Sequence, residues 1–152
     1  MTEPDISVLL DDAYRSLEDE LHRQLDEAGF ADIRPAHGKV FETIGKKGNR
    51  ITAMAEQSRI TKGAMTELVD NLTVRGYVER LPDPRDGRAK IVRLTPNGWE
   101  AVQVAAAAIA GIESRWEATL GQRQMSMLRT ALTQMPQLLV QQAPSLPKTK
   151  DR

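Results

Sequence analysis

Cysteine is absent from the sequence, which excludes a disulfide framework, a thiolate nucleophile, a cysteine-based redox sensor and a cysteine-ligated zinc site. Aromatic residues are scarce, at 4% of 152 residues, so the core must be built mainly from Leu, Ile, Val, Ala and Met. No apolar run reaches the roughly 18 residues of a membrane-spanning helix, and the acidic start lacks the basic flank of a signal peptide. We therefore expect a soluble cytoplasmic protein of one domain or two small ones, with no metal or cofactor.

Net charge is absent as well, because 21 Lys and Arg offset 21 Asp and Glu. The balance is uneven along the chain, since residues 1–36 are strongly acidic and residues 37–94 are basic. A basic segment of this kind can mark a nucleic-acid surface, although many other proteins show a similar gradient. The middle of the chain is therefore where a nucleic-acid contact is expected.

Helical spacing of apolar residues dominates the first half of the sequence. Residues 6–28 form a long amphipathic pattern with a narrow Leu stripe, which suits packing against other helices or against a second copy. Pro35 opens a second helix, and Thr52 is expected to cap a third, short one. After a tight connection, Thr61 caps a fourth helix that ends before Gly76. Its predicted inward face consists of Ala64, Leu68 and Leu72 with Met65 and Val69 beside them.

After Gly76 the apolar period changes from helical to alternating. Residues 77–81 and 89–94 are strand-like, and the charged loop LPDPRDGRAK (residues 81–90) lies between them, which predicts a β-hairpin with Gly87 at its tip. Two helices follow, one from Pro96 to about residue 120 and one from about 122 to 141. The tail 143–152 is predicted to be disordered.

Two short helices joined by a tight turn and followed by a hairpin describe a winged helix-turn-helix. A helix fits the major groove of B-DNA, and its first turn reaches the base edges. The helix that begins after Thr61 is predicted to present Lys62, Gly63 and Thr66 to DNA. An arginine at the hairpin tip suits the narrow, negative minor groove of A·T-rich DNA.

Residues 51–98 resemble the MarR family of bacterial transcription regulators. The motifs RGYVER, DPRDGRA and VRLTPNG carry most of the resemblance, and the order of helices extends it over about residues 6 to 140. The resemblance implies a mainly α fold with a small β-hairpin wing, in which residues 35–94 form the winged helix-turn-helix. It also implies that the terminal helices, in residues 1–34 and 95–142, interlock to form a homodimer.

The family resemblance further implies a function and its site. Asp86-Gly87-Arg88 corresponds to the wing motif in which the aspartate orients an arginine in the minor groove. The expected protein is a dimeric repressor that binds a pseudo-palindromic operator in double-stranded DNA. Many members release DNA when a small aromatic or phenolic compound binds between the dimer helices and the winged domain.

Other charged residues near this region have two interpretations each. Arg85 and Lys90 in the wing are candidate DNA-backbone contacts. The basic residues before the helix-turn-helix, Lys46, Lys47 and Arg50, are either phosphate contacts or a solvated loop. Asp86 and Arg88 alone could be an exposed turn salt bridge. Glu67, where family members often carry a cation, could accept from cytosine N4 or pair with a neighbouring cation.

Ligand and metal sites are less defined by the sequence. Tyr14 and His37 are candidate lining residues of a ligand pocket, and His37 is otherwise a partly buried residue. A metal site would require His22 and His37 to meet, and we expect none. No nucleophile, phosphate-loop or zinc-protease motif occurs, so an enzyme is not expected. The alternative function is a winged-helix module for protein–protein assembly, which salt-sensitive binding to duplex DNA would exclude.

Overall fold

The computed structural model describes residues 3–141. The predicted mainly helical fold with a β-hairpin wing is confirmed. The predicted disordered tail, residues 143–152, lies outside the described residues. A single 3-10 turn, Pro35–His37, leads into the second helix, and the elements run in the order α1 (Ile6–Glu27), α2 (Gly38–Thr43), α3 (Ile51–Ser58), α4 (Lys62–Val74), β1 (Val78–Asp83), β2 (Asp86–Leu94), α5 (Pro96–Leu120) and α6 (Gln122–Gln141).

The tight turn between α3 and α4 forms as the sequence indicates. Arg59 adopts a left-handed conformation with φ of 54°, which ends α3 and redirects the chain. The Thr61 hydroxyl then accepts a hydrogen bond from the Ala64 amide at 3.1 Å, which confirms Thr61 as the cap of α4. The predicted cap at Thr52 is wrong. The third helix begins one residue before it, at Ile51, with Arg50 in the capping position.

The inward face of α4 differs from the predicted one. The buried residues are Met65, Val69 and Leu72, whereas Ala64 is exposed and Leu68 is half-buried. The helix is therefore rotated about its axis relative to the expectation, because Met65 rather than Ala64 fills the core. The rotation changes which side chains α4 presents to its surroundings.

The wing is an antiparallel pair of strands extended by a third segment. Val78 pairs with Leu94 and Leu81 with Ile91. Asn49, in the loop between α2 and α3, bridges to Val92 through two backbone hydrogen bonds of 2.8 and 2.9 Å. A Cβ at Gly48, whose φ is +86°, would lie 2.7 Å from the Val92 carbonyl oxygen, so this approach requires glycine. The sequence did not indicate this third segment.

The chain divides into two compact units, with the boundary between Ala110 and Gly111, within α5. The first unit has the expected aliphatic core, which includes Val40, Ile44, Met54, Met65, Val69, Leu72, Val78 and Val92. The second unit buries Ile112 and Met125. Among residues 3–141, none of the helices combines the length and the apolarity that crossing a bilayer requires.

Candidate nucleic-acid interface

The first turn of α4 is open to solvent. Thr61, Lys62 and Gly63 are all exposed, as predicted for a helix that enters a groove. A Cβ at Gly63 would meet only the Thr61 hydroxyl oxygen, at 4.0 Å, so no contact within residues 3–141 requires glycine there. Gly63 therefore leaves room for another molecule to approach the α4 backbone closely.

Further along α4 the structure revises the predicted contacts. Thr66 is half-buried, and its hydroxyl donates to the Lys62 carbonyl oxygen at 2.8 Å. Its proton is therefore used within the helix, and only its lone pairs can serve a ligand. Glu67 is exposed on the side of α4 opposite the buried Met65, in the middle of the outward face.

The tip of the wing is shaped differently from the prediction. The strands extend further into the charged loop, and the turn is formed by Pro84 and Arg85, with Asp83 paired to Asp86. Gly87 is therefore not at the tip but in β2. The preceding pair in the register is Pro82 with Lys90, so residues 87–89 have no partner on β1. These residues form a bulge, and Arg88 lies at its centre.

A buried carboxylate that the sequence did not single out organises this loop. Asp83 keeps only 2% of its surface exposed and accepts hydrogen bonds from the Arg85 amide at 2.9 Å and from Arg50 Nε at 2.8 Å. The amide of Arg85, followed by the guanidinium of Arg50, holds the pKa of Asp83 below its usual range. An aspartate followed by Pro-Arg is typical of a side-chain-capped turn, and that signal could have identified it.

The Arg50 side chain is consequently bonded to the wing. Its Nη2 also lies 2.8 Å from Asp83 Oδ2, so this guanidinium joins the start of α3 to the hairpin. Two of its nitrogens are bonded within the protein, while 40% of its side chain stays in solvent, so its role as a phosphate contact stays a prediction. Lys46 and Lys47 are exposed in the same loop, and Arg85, although 3.4 Å from Asp83, keeps 83% of its side chain in solvent.

In the Asp86–Arg88 motif, the aspartate side chain contacts the backbone of Arg88. Asp86 Oδ1 accepts a hydrogen bond from the Arg88 amide at 3.1 Å, and the Arg88 guanidinium forms no ion pair within residues 3–141. Asp86 therefore fixes the bulge rather than the guanidinium itself. Arg88 and Lys90 are both exposed, so with Arg85 they give the outer surface of the wing three cations available to a phosphate-bearing partner.

His37 is connected to α4 rather than to a pocket. It is 4% exposed, its Nδ1 accepts from the Arg34 amide at 2.9 Å, and its Nε2 donates to Asn71 Oδ1 at 2.9 Å. This pattern requires the neutral imidazole, and burial lowers the pKa of His37. The bond to Asn71 ties the turn before α2 to α4.

A cavity of about 340 Å³ lies among α1, the α2 region and α5. Tyr14 lines it as predicted, but His37 does not. His22, which was considered from the sequence only for a metal site, lines it instead, together with Glu18, Phe41 and Glu42. Within the described part of the chain, no three His, Asp or Glu side chains gather in a way that could hold a metal ion.

Comparison of sequences identifies relatives. A family profile described as "MarR family" matches residues 40–90. The multiple antibiotic resistance protein MarR of Salmonella typhimurium is 50% identical over 36 residues, which is 24% of this chain and 25% of that protein. The chain therefore aligns with only about a quarter of the length of this curated relative.

Comparison of structures extends the likeness to nearly the whole chain. The reduced form of MarR from E. coli superimposes with a TM-score of 0.72 and 22% identity, covering 89% of this chain and 98% of that one. CouR from Rhodococcus jostii, solved with bound p-coumaroyl-CoA, gives a TM-score of 0.68 and 22% identity over 86% of this chain and 91% of its own. At this identity the two structures show a shared fold.

Proposed function

We propose that the chain is a member of the MarR family of winged-helix transcriptional regulators and that it binds a pseudo-palindromic operator in double-stranded DNA as a homodimer. The family profile over residues 40–90 and the shared fold support this proposal. The family is one of non-enzymatic regulators, in agreement with the absence of catalytic motifs from the sequence. A cytoplasmic location, where operator DNA is available, follows from the same proposal.

One observation supports the proposal most directly: the first turn of α4 and the Arg88 side chain are both exposed, and internal contacts hold the wing that carries Arg88. Lys62 and Gly63 are exposed at the start of α4, and Arg88 is exposed in a bulge whose base is fixed by Asp83 and Arg50. In a winged helix-turn-helix the helix enters the major groove and the wing contacts the neighbouring backbone or minor groove. We assign α4 to base readout and Arg88 to the minor groove, with Lys46, Lys47, Arg85 and Lys90 on phosphates.

Two apolar surfaces support the homodimer. The first half of α1 leaves Ile6, Leu9 and Leu10 exposed, and α6 leaves Leu128 and Leu132 exposed. A second copy covering them would place its recognition helix in a successive major groove, about 34 Å away. Palindromic operators match such a two-fold arrangement.

Release by a small molecule is the proposed control. The cavity beside α1 and α5 opens next to Arg34, whose amide is bonded to His37 and thereby to α4. CouR was solved with p-coumaroyl-CoA, which supports an effector site in a protein of this fold. We propose that a small aromatic or phenolic ligand changes the spacing of the two winged lobes and relieves repression.

The wing assignment is tested by Arg88→Ala. Operator fragments are selected from random duplex DNA with the purified protein, and affinity is measured by fluorescence anisotropy at fixed salt. We expect a loss of about 10- to 100-fold for Arg88→Ala, as for one lost groove contact of about 1–3 kcal/mol. The control is Arg93→Ala on the same strand, because Arg93 instead pairs with Glu79 at 2.8 Å.

Two outcomes would contradict the proposal. Equal affinities for Arg88→Ala and the parent protein would remove Arg88 from the interface. A complete absence of salt-sensitive binding to duplex DNA would favour the alternative, a winged-helix assembly module that uses its exposed apolar helix faces.

A further inference from the structure

The cavity beside α1 is lined mainly by apolar residues, and it has more carboxylates than Lys or Arg side chains. Two carboxylates, Glu18 from α1 and Glu42 from α2, line it together with one cation, Arg34. Arg34 is exposed, whereas the Glu18 side chain keeps only 19% of its surface in solvent. Among these three side chains, two negative charges stand against one positive charge.

Glu18 is a largely buried carboxylate that lacks a permanent cation as its partner. Its basic neighbour is His22, whose Nε2 lies 3.6 Å from Glu18 Oε2, and this contact is an ion pair only when the imidazole is protonated. Within residues 3–141, no Lys or Arg forms an ion pair with Glu18. A cation that enters the cavity would therefore meet the Glu18 carboxylate as an opposite charge without displacing a Lys or an Arg.

The neighbouring phenol, Tyr14, has a raised pKa. Burial, followed by the negative charges of Glu18 and then Glu42, raises the pKa of Tyr14. The charges of Glu18 and Glu42, which are the second and third causes of that shift, oppose an anionic ligand and favour a cationic one. The rings of Tyr14 and Phe41 also line the cavity, and aromatic faces attract cations.

We infer that the effector of this cavity is an organic cation with an apolar, aromatic body, such as a lipophilic amine. The ammonium group pairs with Glu18 and Glu42, and the body fills the apolar remainder of the 340 Å³ space. This inference rests on the proposed function, because it takes the cavity to be the effector site.

Three probes that share one skeleton test the inference: 1-naphthylmethylammonium, the neutral 1-naphthylmethanol and anionic 1-naphthoate. Their affinities for the full chain are measured by calorimetry at neutral pH and moderate salt. We expect the cation to bind at least tenfold more tightly than the alcohol, and the carboxylate at least tenfold more weakly. The cation should also release operator DNA at the lowest concentration.

Matched variants assign the effect to the cavity. Glu18→Gln keeps the size of the side chain and removes its charge, so the preference for the cation over the alcohol should fall below threefold. Asp19→Asn removes the charge of the exposed neighbour on α1 and should leave the tenfold preference intact. If Glu18→Gln does not fold, judged by circular dichroism, Glu42→Gln replaces it and should halve or further reduce the preference.

The outcomes separate the inference from the function on which it rests. Tighter binding of 1-naphthoate, an unchanged preference in Glu18→Gln, or no binding of any probe would overturn the cationic effector. Operator affinity without probes is measured on the same samples. If operator affinity is intact, the proposed function is retained and only the cationic effector is rejected. If operator affinity is missing, the proposed function itself is rejected.

Discussion

At the residue scale, the most informative side chain of α4, which we propose to read the bases, is a carboxylate. Glu67 occupies the middle of the outward face of α4, between the open first turn at Gly63 and the C-terminal part of the helix. No ion pair within the described residues occupies Glu67, so pairing with a neighbouring cation, one of the two roles considered for it, is not observed. A carboxylate that faces base edges accepts from the cytosine amino group and is repelled by phosphates.

Glu67→Gln should therefore change the operator that the protein selects. A glutamine carboxamide pairs with adenine N6 and N7, so the preferred base at one position of each half-site should change from cytosine to adenine. Selection from random duplex DNA with both proteins measures this change. Glu56→Gln, on the exposed side of α3, is the control for the loss of one negative charge. Identical preferences for all three proteins would remove Glu67 from base readout.

His37 is the second residue whose chemistry is set by its surroundings. Burial lowers its pKa, so as pH falls below the ordinary value near 6.5 the unfolded chain takes up a proton before the native state does. The stabilisation that the neutral His37 provides is therefore complete above that value. It is lost as pH falls towards the native pKa.

His37→Gln should separate this titration from the rest of the protein. At pH 7.5 the variant should lose about 1–3 kcal/mol of unfolding free energy, because the Arg34 amide and Asn71 lose a buried partner. Between pH 7.5 and 5 it should lose less further stability than the parent chain. Urea unfolding across this range measures both effects, with His22→Gln as the control. Parallel pH profiles of His37→Gln and the parent would contradict the assignment.

At the element scale, the wing depends on a carboxylate that lies inside it. Asp83 connects the turn, through the Arg85 amide, to the start of α3, through Arg50. Asn49 adds a second connection from the same loop to β2. The hairpin is therefore held from one side at two points, and its bulge keeps a fixed position relative to α3.

Asp83→Asn should loosen the wing without unfolding the chain. The amide retains the shape of the side chain but cannot pair with the Arg50 guanidinium, so operator affinity should fall about tenfold while α-helical content stays constant. Hydrogen exchange of the β2 amides should accelerate. Asp86→Asn, whose carboxylate is exposed and bonds only the Arg88 amide closely, should have a smaller effect on exchange. Equal exchange in Asp83→Asn and the parent would contradict this role.

The limits of sequence reasoning are visible within these elements. The sequence predicts α4 and the hairpin, because the spacing of apolar residues indicates a helix or a strand. Thr61 and Gly76 mark the two ends of α4. The sequence does not predict how α4 is rotated about its axis, because Ala64 and Met65 are both apolar and only packing decides which is buried. The contact of Asp83 with Arg50 likewise joins positions 33 residues apart, so no local pattern indicates it.

At the scale of the whole molecule, apolar surface on α6 is left exposed by the described residues. Leu128, Leu132, Met135 and Leu139 recur at spacings of three and four residues and are all more than a third exposed. A stripe of this kind is typical of a helix that packs against another surface. In the proposed homodimer, that surface belongs to a second copy.

Leu128→Glu combined with Leu132→Glu should produce monomers of 16.9 kDa in sedimentation equilibrium. Two carboxylates in an apolar interface carry a large desolvation cost, and operator affinity should fall at least 100-fold with the loss of one half-site. Gln134→Glu lies away from the stripe and should remain dimeric. A stable dimer from the double variant would place the interface elsewhere.

The internal anchoring of the wing has a consequence for how such a regulator can diverge. Asp83 and Arg50 set where the loop lies, whereas Arg85, Arg88 and Lys90 point outward and support no other part of the described chain through an ion pair, apart from the loose contact of Arg85 with Asp83. Substitutions on the outside can then alter the DNA that is preferred while the fold persists. Because the internal brace and the exposed surface use different residues, a preference for new operators could be acquired one outer residue at a time.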